Sequence, residues 1–66
     1  MQIQLNGDAK QLAGETTVGE LIVALDLAGR RIAVEVNEEI VPRSQHETTR
    51  LAAGDRVEIV HAIGGG

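Results

Sequence analysis

Hydrophobic and polar residues alternate near both ends of this 66-residue chain, as they do in strands with one buried face. The first alternating segment spans 1–5. Asn6-Gly7 follows it and predicts a tight hairpin, because Asn and Gly both tolerate positive φ. A return strand is expected over 9–12. The last alternating segment spans 57–62, so strands are predicted at both ends of the domain.

A helix is predicted between these strands. Thr17 and Glu20 have the spacing of a capping box, which marks a helix start. The helix is expected to end over 26–29, with Gly29 as a left-handed cap. Its apolar stripe consists of residues at helical spacing: Val18, Leu21, Ile22 and Leu25.

The remaining segments predict an α+β fold. Their pattern gives a strand over 32–36, a turn over 37–39, a short strand at Ile40-Val41 stopped by Pro42, a polar stretch over 43–50 with one short helical turn, and a turn over 53–55. We expect a mixed four- to five-stranded sheet with the first and last strands paired at its centre and the helix across one face. This is the β-grasp arrangement. The residues expected to point inward are Ile3, Leu5, Val34, Val57 and Ile59.

The composition argues against several kinds of function. Without cysteine, the chain has no disulfide and no thiol of its own to carry sulfur. A net charge of −4 and the absence of aromatic residues argue against nucleic-acid binding. Two histidines far apart in sequence suggest no metal site. No signal peptide or membrane span is visible, so we expect a cytoplasmic protein with no membrane partner.

The glycines Gly64, Gly65 and Gly66 follow Ile63. We expect a domain over 1–63 and a flexible tail over 64–66, about 10 Å long at ~3.3–3.6 Å per residue. The reactive group of such a tail is the carboxylate of Gly66. A carboxylate must be activated before sulfur can replace one of its oxygens, and adenylation by ATP does this. The alternative is an inert, frayed end.

No phosphate-binding GxxxxGK[ST] loop occurs in the chain. A partner enzyme would therefore supply ATP and Mg²⁺. The chain itself is expected to bind no cofactor, to have no catalytic residue and to act as a substrate rather than as an enzyme.

Several segments resemble the ThiS family, the ubiquitin-like sulfur carriers of bacterial thiamine biosynthesis. These are 1–7, 36–43, 51–60 and 63–66, and 36–43 is the most discriminating. The resemblance covers essentially the whole chain.

The resemblance implies that an E1-like adenylyltransferase (ThiF-type) adenylates Gly66. Sulfur from a cysteine desulfurase relay then converts Gly66 to a thiocarboxylate, which a thiazole synthase (ThiG-type) consumes. The resemblance also implies that Gly65, which has no side chain, is required next to Gly66. Many relatives have a residue other than glycine at the position of Gly64.

Two other functions fit the same residues. Sibling carriers, such as the small subunit of molybdopterin synthase or the carriers of tRNA thiolation and protein modification, share the fold and the diglycine. They tend to be longer and to contain aromatic residues. A β-grasp binding module with an inert tail is the candidate from another class.

A partner surface is predicted beside the tail. Val60, Ala62 and Ala33 are expected to point away from the helix and to form an apolar patch. Ile63 and Arg43 are predicted as further partner contacts. Arg43 would anchor a carboxylate or phosphate, unless it is merely solvated or paired locally.

Overall fold

The strands and the helix lie close to the positions that the sequence pattern predicts. The computed structural model describes residues 1–14 and 16–61. Its elements, in chain order, are β1 (Gln2–Leu5), β2 (Asp8–Gln11), β3 (Thr16–Thr17), α1 (Val18–Ala24), β4 (Ile32–Val36), β5 (Glu39–Val41), a 3-10 helix (Arg43–Gln45), β6 (Arg50–Leu51) and β7 (Arg56–His61).

Two hairpins turn on residues with positive φ. Asn6 (50°) and Gly7 (87°) connect β1 to β2, and Asn37 (52°) and Glu38 (70°) connect β4 to β5. Positive φ at both central residues is the type I′ geometry, whose twist matches that of the flanking strands. The first hairpin is confirmed. The second turn is shorter than predicted, because Glu39 already belongs to β5.

The start of α1 is capped as predicted. The hydroxyl of Thr17 accepts a hydrogen bond from the backbone N–H of Glu20 at 3.1 Å. The N–H of Thr17 donates in return to the Glu20 carboxylate at 2.9 Å. Two backbone donors that lack a partner inside the helix are thereby satisfied.

The helix ends earlier than predicted, at Ala24. Asp26 takes the left-handed conformation, with φ of 61°. Its N–H and that of the next residue donate to the carbonyls of Val23 and Ile22, at 3.0 and 2.9 Å. This is the Schellman motif. The prediction of Gly29 as the cap is therefore wrong: Gly29 has positive φ but lies in the connection to β4. Asp can occupy this conformation, although less readily than Gly.

The main sheet has the strand order β2-β1-β7-β4-β5. At its centre β1 and β7 are parallel, and the other neighbours are antiparallel. This mixed five-stranded sheet confirms the predicted α+β β-grasp fold. A separate pair of two-residue strands, β3 and β6, was not predicted, because two residues are too few to show an alternation.

An aliphatic core joins the helix to one face of the main sheet. Its completely buried side chains are Ile3, Val18, Leu21, Val34 and Val57. Ile59 is also buried and Leu5 is half-buried, so the predicted inward face is confirmed. Each such side chain contributes about 1.5–3 kcal/mol when it is buried.

Candidate functional site

The strand that leads to the glycine residues lies at the centre of the main sheet. β7 is bordered by β1 on one side and β4 on the other. Its last described pair joins His61 to Ile32, the first residue of β4. The predicted site residues that follow lie outside the described residues: Ala62, Ile63, Gly64, Gly65 and Gly66. The predicted boundary between domain and tail lies outside them as well.

An asparagine side chain extends the pairing of β7 beyond the end of β1. β1 stops at Leu5, where the chain turns into the hairpin. The Asn6 carboxamide oxygen accepts a hydrogen bond from the N–H of Ile59 at 2.8 Å, and its NH₂ group donates to the Ile59 carbonyl at 3.2 Å. The side chain thus takes the place of a strand residue beside β7. The sequence pattern predicts Asn6 only as a turn residue and does not predict this contact.

The second hairpin holds the other end of β7. The Asn37 side-chain oxygen accepts from the N–H of Arg56 at 3.0 Å, and the Asn37 N–H donates to the Arg56 carbonyl at 2.7 Å. The side chain of Asn37 also donates to the Asp55 carboxylate at 3.0 Å. Turn asparagines therefore fix both the first residue of β7 and a residue near its end.

The sheet face away from the helix has an apolar and acidic surface, which we call the outer patch: Ala33, Glu35, Ile40, Glu58 and Val60. Val60 lies opposite Ala33, and Glu35 lies between Glu58 and Ile40. Val60 is 56% exposed and Ile40 is 72% exposed. The place of Ile40 in this patch was not predicted, although the alternation of Ile40 with buried Val41 is a signal for it.

The two carboxylates of the outer patch are cross-strand neighbours. Glu35 and Glu58 lie opposite each other in the β4–β7 pair. Like charges in this position are unfavourable. Within residues 1–14 and 16–61, neither carboxylate has an ion pair or a side-chain hydrogen bond. A cationic partner group that bound there would relieve their repulsion.

Arg43 lies elsewhere. It is exposed, and it lines a groove beside α1 together with Ile22, Arg30 and Arg31. The structure therefore brings Val60 and Ala33 together but does not bring Arg43 to them. A single surface that contains all three residues, as the sequence suggested, is not what the fold provides.

Neither histidine has the surroundings of a catalytic base. Half-buried His46 has its Nε2 atom 3.1 Å from the Val41 carbonyl, a contact that ties the 3-10 segment to β5. His61 is exposed at the end of β7. The part of the chain described by the structure contains no group of three His, Cys, Asp or Glu residues able to hold a metal ion. It also contains no helix long and apolar enough to cross a membrane.

The chain is similar to known proteins over its whole length. Residues 3–66 match the model of the ThiS family. The chain belongs to the ThiS family. The sulfur carrier protein ThiS of Escherichia coli is 38% identical over 66 residues, which cover the whole of both chains. The crystal structure of the thiamine biosynthesis protein ThiS from Geobacter metallireducens has a TM-score of 0.87 and 33% identity, again over the whole of both chains.

A longer relative contains a ThiS-like segment. A thiazole synthase from Paramagnetospirillum magneticum is 39% identical to this chain over 66 residues. The match covers all of this chain but 20% of that protein, so the chain spans a fifth of the length of this relative.

Proposed function

We propose that this member of the ThiS family is the sulfur carrier of thiamine biosynthesis and that the carboxylate of Gly66 carries the sulfur. The observation that supports this most directly is the family match, which extends through residue 66. The full-length similarity to the E. coli sulfur carrier supports the same function. In this proposal the protein is not an enzyme; it is a co-substrate of the enzymes that load and unload it, and it works in the cytoplasm, where they have ATP.

The proposed chemistry begins with an oxygen of the Gly66 carboxylate. An E1-like adenylyltransferase joins this oxygen to the α-phosphorus of ATP, and pyrophosphate leaves. The terminal sulfur of a persulfide from a cysteine desulfurase relay then attacks the acyl carbon, and AMP leaves as the carbon–sulfur bond forms. A second thiol, supplied by the partner proteins or by a thiol reductant, then attacks the sulfur–sulfur bond of this acyl persulfide, so that the thiocarboxylate leaves and a disulfide forms. The resulting thiocarboxylate gives its sulfur to thiazole synthase. Because the chain has no cysteine, no internal thiol competes for the activated acyl group.

The partner enzymes must supply the remaining chemistry. The chain has no phosphate-binding loop, so the adenylyltransferase would hold ATP and Mg²⁺. Glycines at 64–66 would let the tail enter a narrow active site, because glycine has no side chain and adopts conformations closed to other residues.

Thiazole synthase is the partner with the most direct support. A curated thiazole synthase contains a segment that is 39% identical to this chain. When two modules share one polypeptide, each meets the other at a high effective concentration. Fusion in one polypeptide favours two modules that act on each other, and we infer that this chain acts together with a thiazole synthase.

The outer patch is our proposed docking surface for the adenylyltransferase. Ala33 and Val60 supply apolar area, and Glu35 and Glu58 supply negative charge that a basic partner surface would complement. The predicted contacts Ala62 and Ile63 would extend this surface toward the tail.

Truncation of the tail tests the carrier function. We would incubate the protein with ATP, Mg²⁺, its adenylyltransferase, a cysteine desulfurase, cysteine as the sulfur source and a thiol reductant, and then measure the intact mass. The full chain should gain the mass of one sulfur-for-oxygen exchange. A variant without Gly65 and Gly66 should show no gain, although its thermal unfolding should match that of the full chain.

Three results would contradict the proposal. Sulfur gain by the truncated chain would show that Gly66 does not carry it. An unchanged mass of the full chain, in an assay where a known carrier is loaded, would favour the binding module. Loading that fails to support thiazole formation would favour a sibling carrier.

A further inference from the structure

A groove with an apolar floor and a basic rim lies on the helix side of the molecule, away from the outer patch. Its volume is about 420 Å³. The floor includes Ile22, Leu27 and Ile32, and the exposed Val23 stands at its edge. Ligand sites in proteins have volumes of about 300–1,000 Å³. The groove is therefore large enough to hold part of a bound segment.

The charge around this groove is opposite to that of the chain. Arg30, Arg31 and Arg43 line it and are exposed. They are half of the six Lys and Arg residues of a chain whose net charge is −4. Of the described residues that line the groove, none is Asp or Glu, although the chain has 10 acidic residues. This segregation gives an acidic protein a local site for a negatively charged partner.

The three guanidinium groups are available for such a partner. No hydrogen bond or ion pair joins them to another residue in the described ranges. Arginine binds carboxylates through two parallel hydrogen bonds, and it is enriched in protein–protein interfaces.

The walls of the groove are held by backbone hydrogen bonds. The N–H of Arg30 donates to the Leu27 carbonyl at 3.1 Å. On the opposite wall, the N–H of Gly19 in α1 donates to the His46 carbonyl at 2.8 Å, which ties the helix to the segment that contains Arg43. A Cβ atom at Gly19 would lie 3.4 Å from this carbonyl, at the limit of ordinary van der Waals contact, so the helix and this segment are closely packed. A site that is already formed loses less entropy when it binds.

We propose that this basic groove binds a segment of a partner protein in which carboxylate side chains alternate with apolar ones. The apolar side chains would contact Val23 and Leu27, and the carboxylates would pair with Arg30, Arg31 and Arg43. The inference goes beyond the proposed function, because it does not depend on the chemistry of Gly66.

A second groove on the other side of α1 provides an internal control. It shares Gly19 and Val23 with the basic groove, but its rim carries Glu20 and Glu47. Its volume is about 480 Å³. An acidic segment should avoid this groove, although its size is similar. Size and apolar character alone therefore do not predict where the segment binds, whereas charge does.

An NMR titration of the full chain, labelled with ¹⁵N, tests the proposal. The probe is a ten-residue peptide of alternating glutamate and leucine, and its counterpart has lysine in place of glutamate. The acidic peptide should shift the amide resonances of Ala28 to Ile32 and of Arg43. The double variant Arg30→Gln and Arg43→Gln should weaken binding about tenfold. Arg56→Gln, which removes a charge from the start of β7, should have little effect.

Several outcomes would overturn the proposal. These are the absence of shifts at the groove, equal shifts with the lysine peptide, and equal loss of binding in the Arg56→Gln control. Inorganic phosphate is titrated separately, and equal shifts at equal affinity would indicate a site for small anions instead of a protein segment. Because the tail takes no part in this measurement, its result is independent of whether Gly66 carries sulfur.

Discussion

Glu38 adopts a backbone conformation that its side chain makes unfavourable. Its φ of 70° lies in the left-handed region, which costs a residue with a Cβ atom about 1–2 kcal/mol. Glycine has no such cost, although it loses more entropy on folding. We expect Glu38→Gly to raise the free energy of unfolding by about 0.5–1 kcal/mol. Thermal unfolding followed by circular dichroism should show a midpoint several degrees higher.

The neighbouring glutamate provides the matched control. Glu39→Gly removes the same charge, but Glu39 is exposed within β5 and does not have positive φ. Glycine inside a strand is unfavourable, so this variant should lose about 0.5–1 kcal/mol. If both variants were stabilised equally, the removal of negative charge would be the cause and the argument from φ would be wrong.

Asn6 illustrates what a sequence reveals about a single residue and what it does not. The pair Asn6-Gly7 predicts a type I′ turn, because the preference for positive φ is a property of the residues themselves. The bond between the Asn6 side chain and Ile59 could not be predicted in the same way. It joins residues 53 positions apart, and it exists because β1 and β7 are adjacent in the sheet.

At the scale of the elements, α1 depends on its cap because it is short. It has seven residues, and isolated helices below about 12–15 residues are barely stable in water. The hydroxyl of Thr17 satisfies the N–H of Glu20. Thr17→Ala should therefore lower the free energy of unfolding by about 1 kcal/mol. Urea denaturation measures this change as a lower midpoint with the same slope.

Serine at the same position separates the cap from other effects. Thr17 is half-buried and also belongs to β3, so alanine removes a methyl group as well as the hydroxyl. Thr17→Ser keeps the hydroxyl and removes the same methyl group. It should retain most of the stability. Equal destabilisation by both substitutions would assign the loss to packing and would contradict the capping argument.

The two ends of α1 also show why one boundary was predicted and the other was not. The start depends on two side chains at a fixed spacing, Thr17 and Glu20, which the sequence displays directly. The end depends on Asp26 adopting a conformation that glycine adopts more readily. Because Gly29 follows within a few residues, the sequence pattern favours Gly29 over Asp26 as the left-handed cap. The pairing of β3 with β6 was not predicted either. Two-residue strands show no alternation, and their pairing depends on the packed fold.

At the scale of the whole molecule, two surfaces of opposite charge lie in different places. The outer patch has the paired carboxylates of Glu35 and Glu58, whereas the basic groove has three arginines on the helix side. Alternation along β4 and β7 predicted the first surface, at Ala33 and Val60. The basic groove could not be predicted from the sequence, because Arg43 is remote in sequence from Arg30 and Arg31. These residues come together only because the connection after α1 packs beside the segment that contains Arg43.

Val60→Asp tests the outer patch as the docking surface of the adenylyltransferase. The substitution puts a third carboxylate beside Glu35 and Glu58 and removes apolar contact area. We expect about tenfold weaker association with the enzyme, measured by titration calorimetry, because the Val60 side chain is proposed to meet an apolar part of the partner, where a carboxylate loses its hydration without gaining a cation. The domain should stay folded, since Val60 is 56% exposed. Circular dichroism would verify this.

Two further variants identify the cause of the effect. Ala9→Asp places the same charge on the exposed Ala9 of β2, at the edge of the sheet remote from Val60, and should leave the affinity nearly unchanged. Val60→Asn removes the apolar contact without adding charge. If Val60→Asn weakens binding as much as Val60→Asp, the loss of apolar burial is the cause. If Val60→Asn loses less affinity, the difference is the cost of placing a charge in an apolar part of the interface. Unchanged affinity of Val60→Asp would remove the outer patch from the proposed interface, because docking there must bury this side chain.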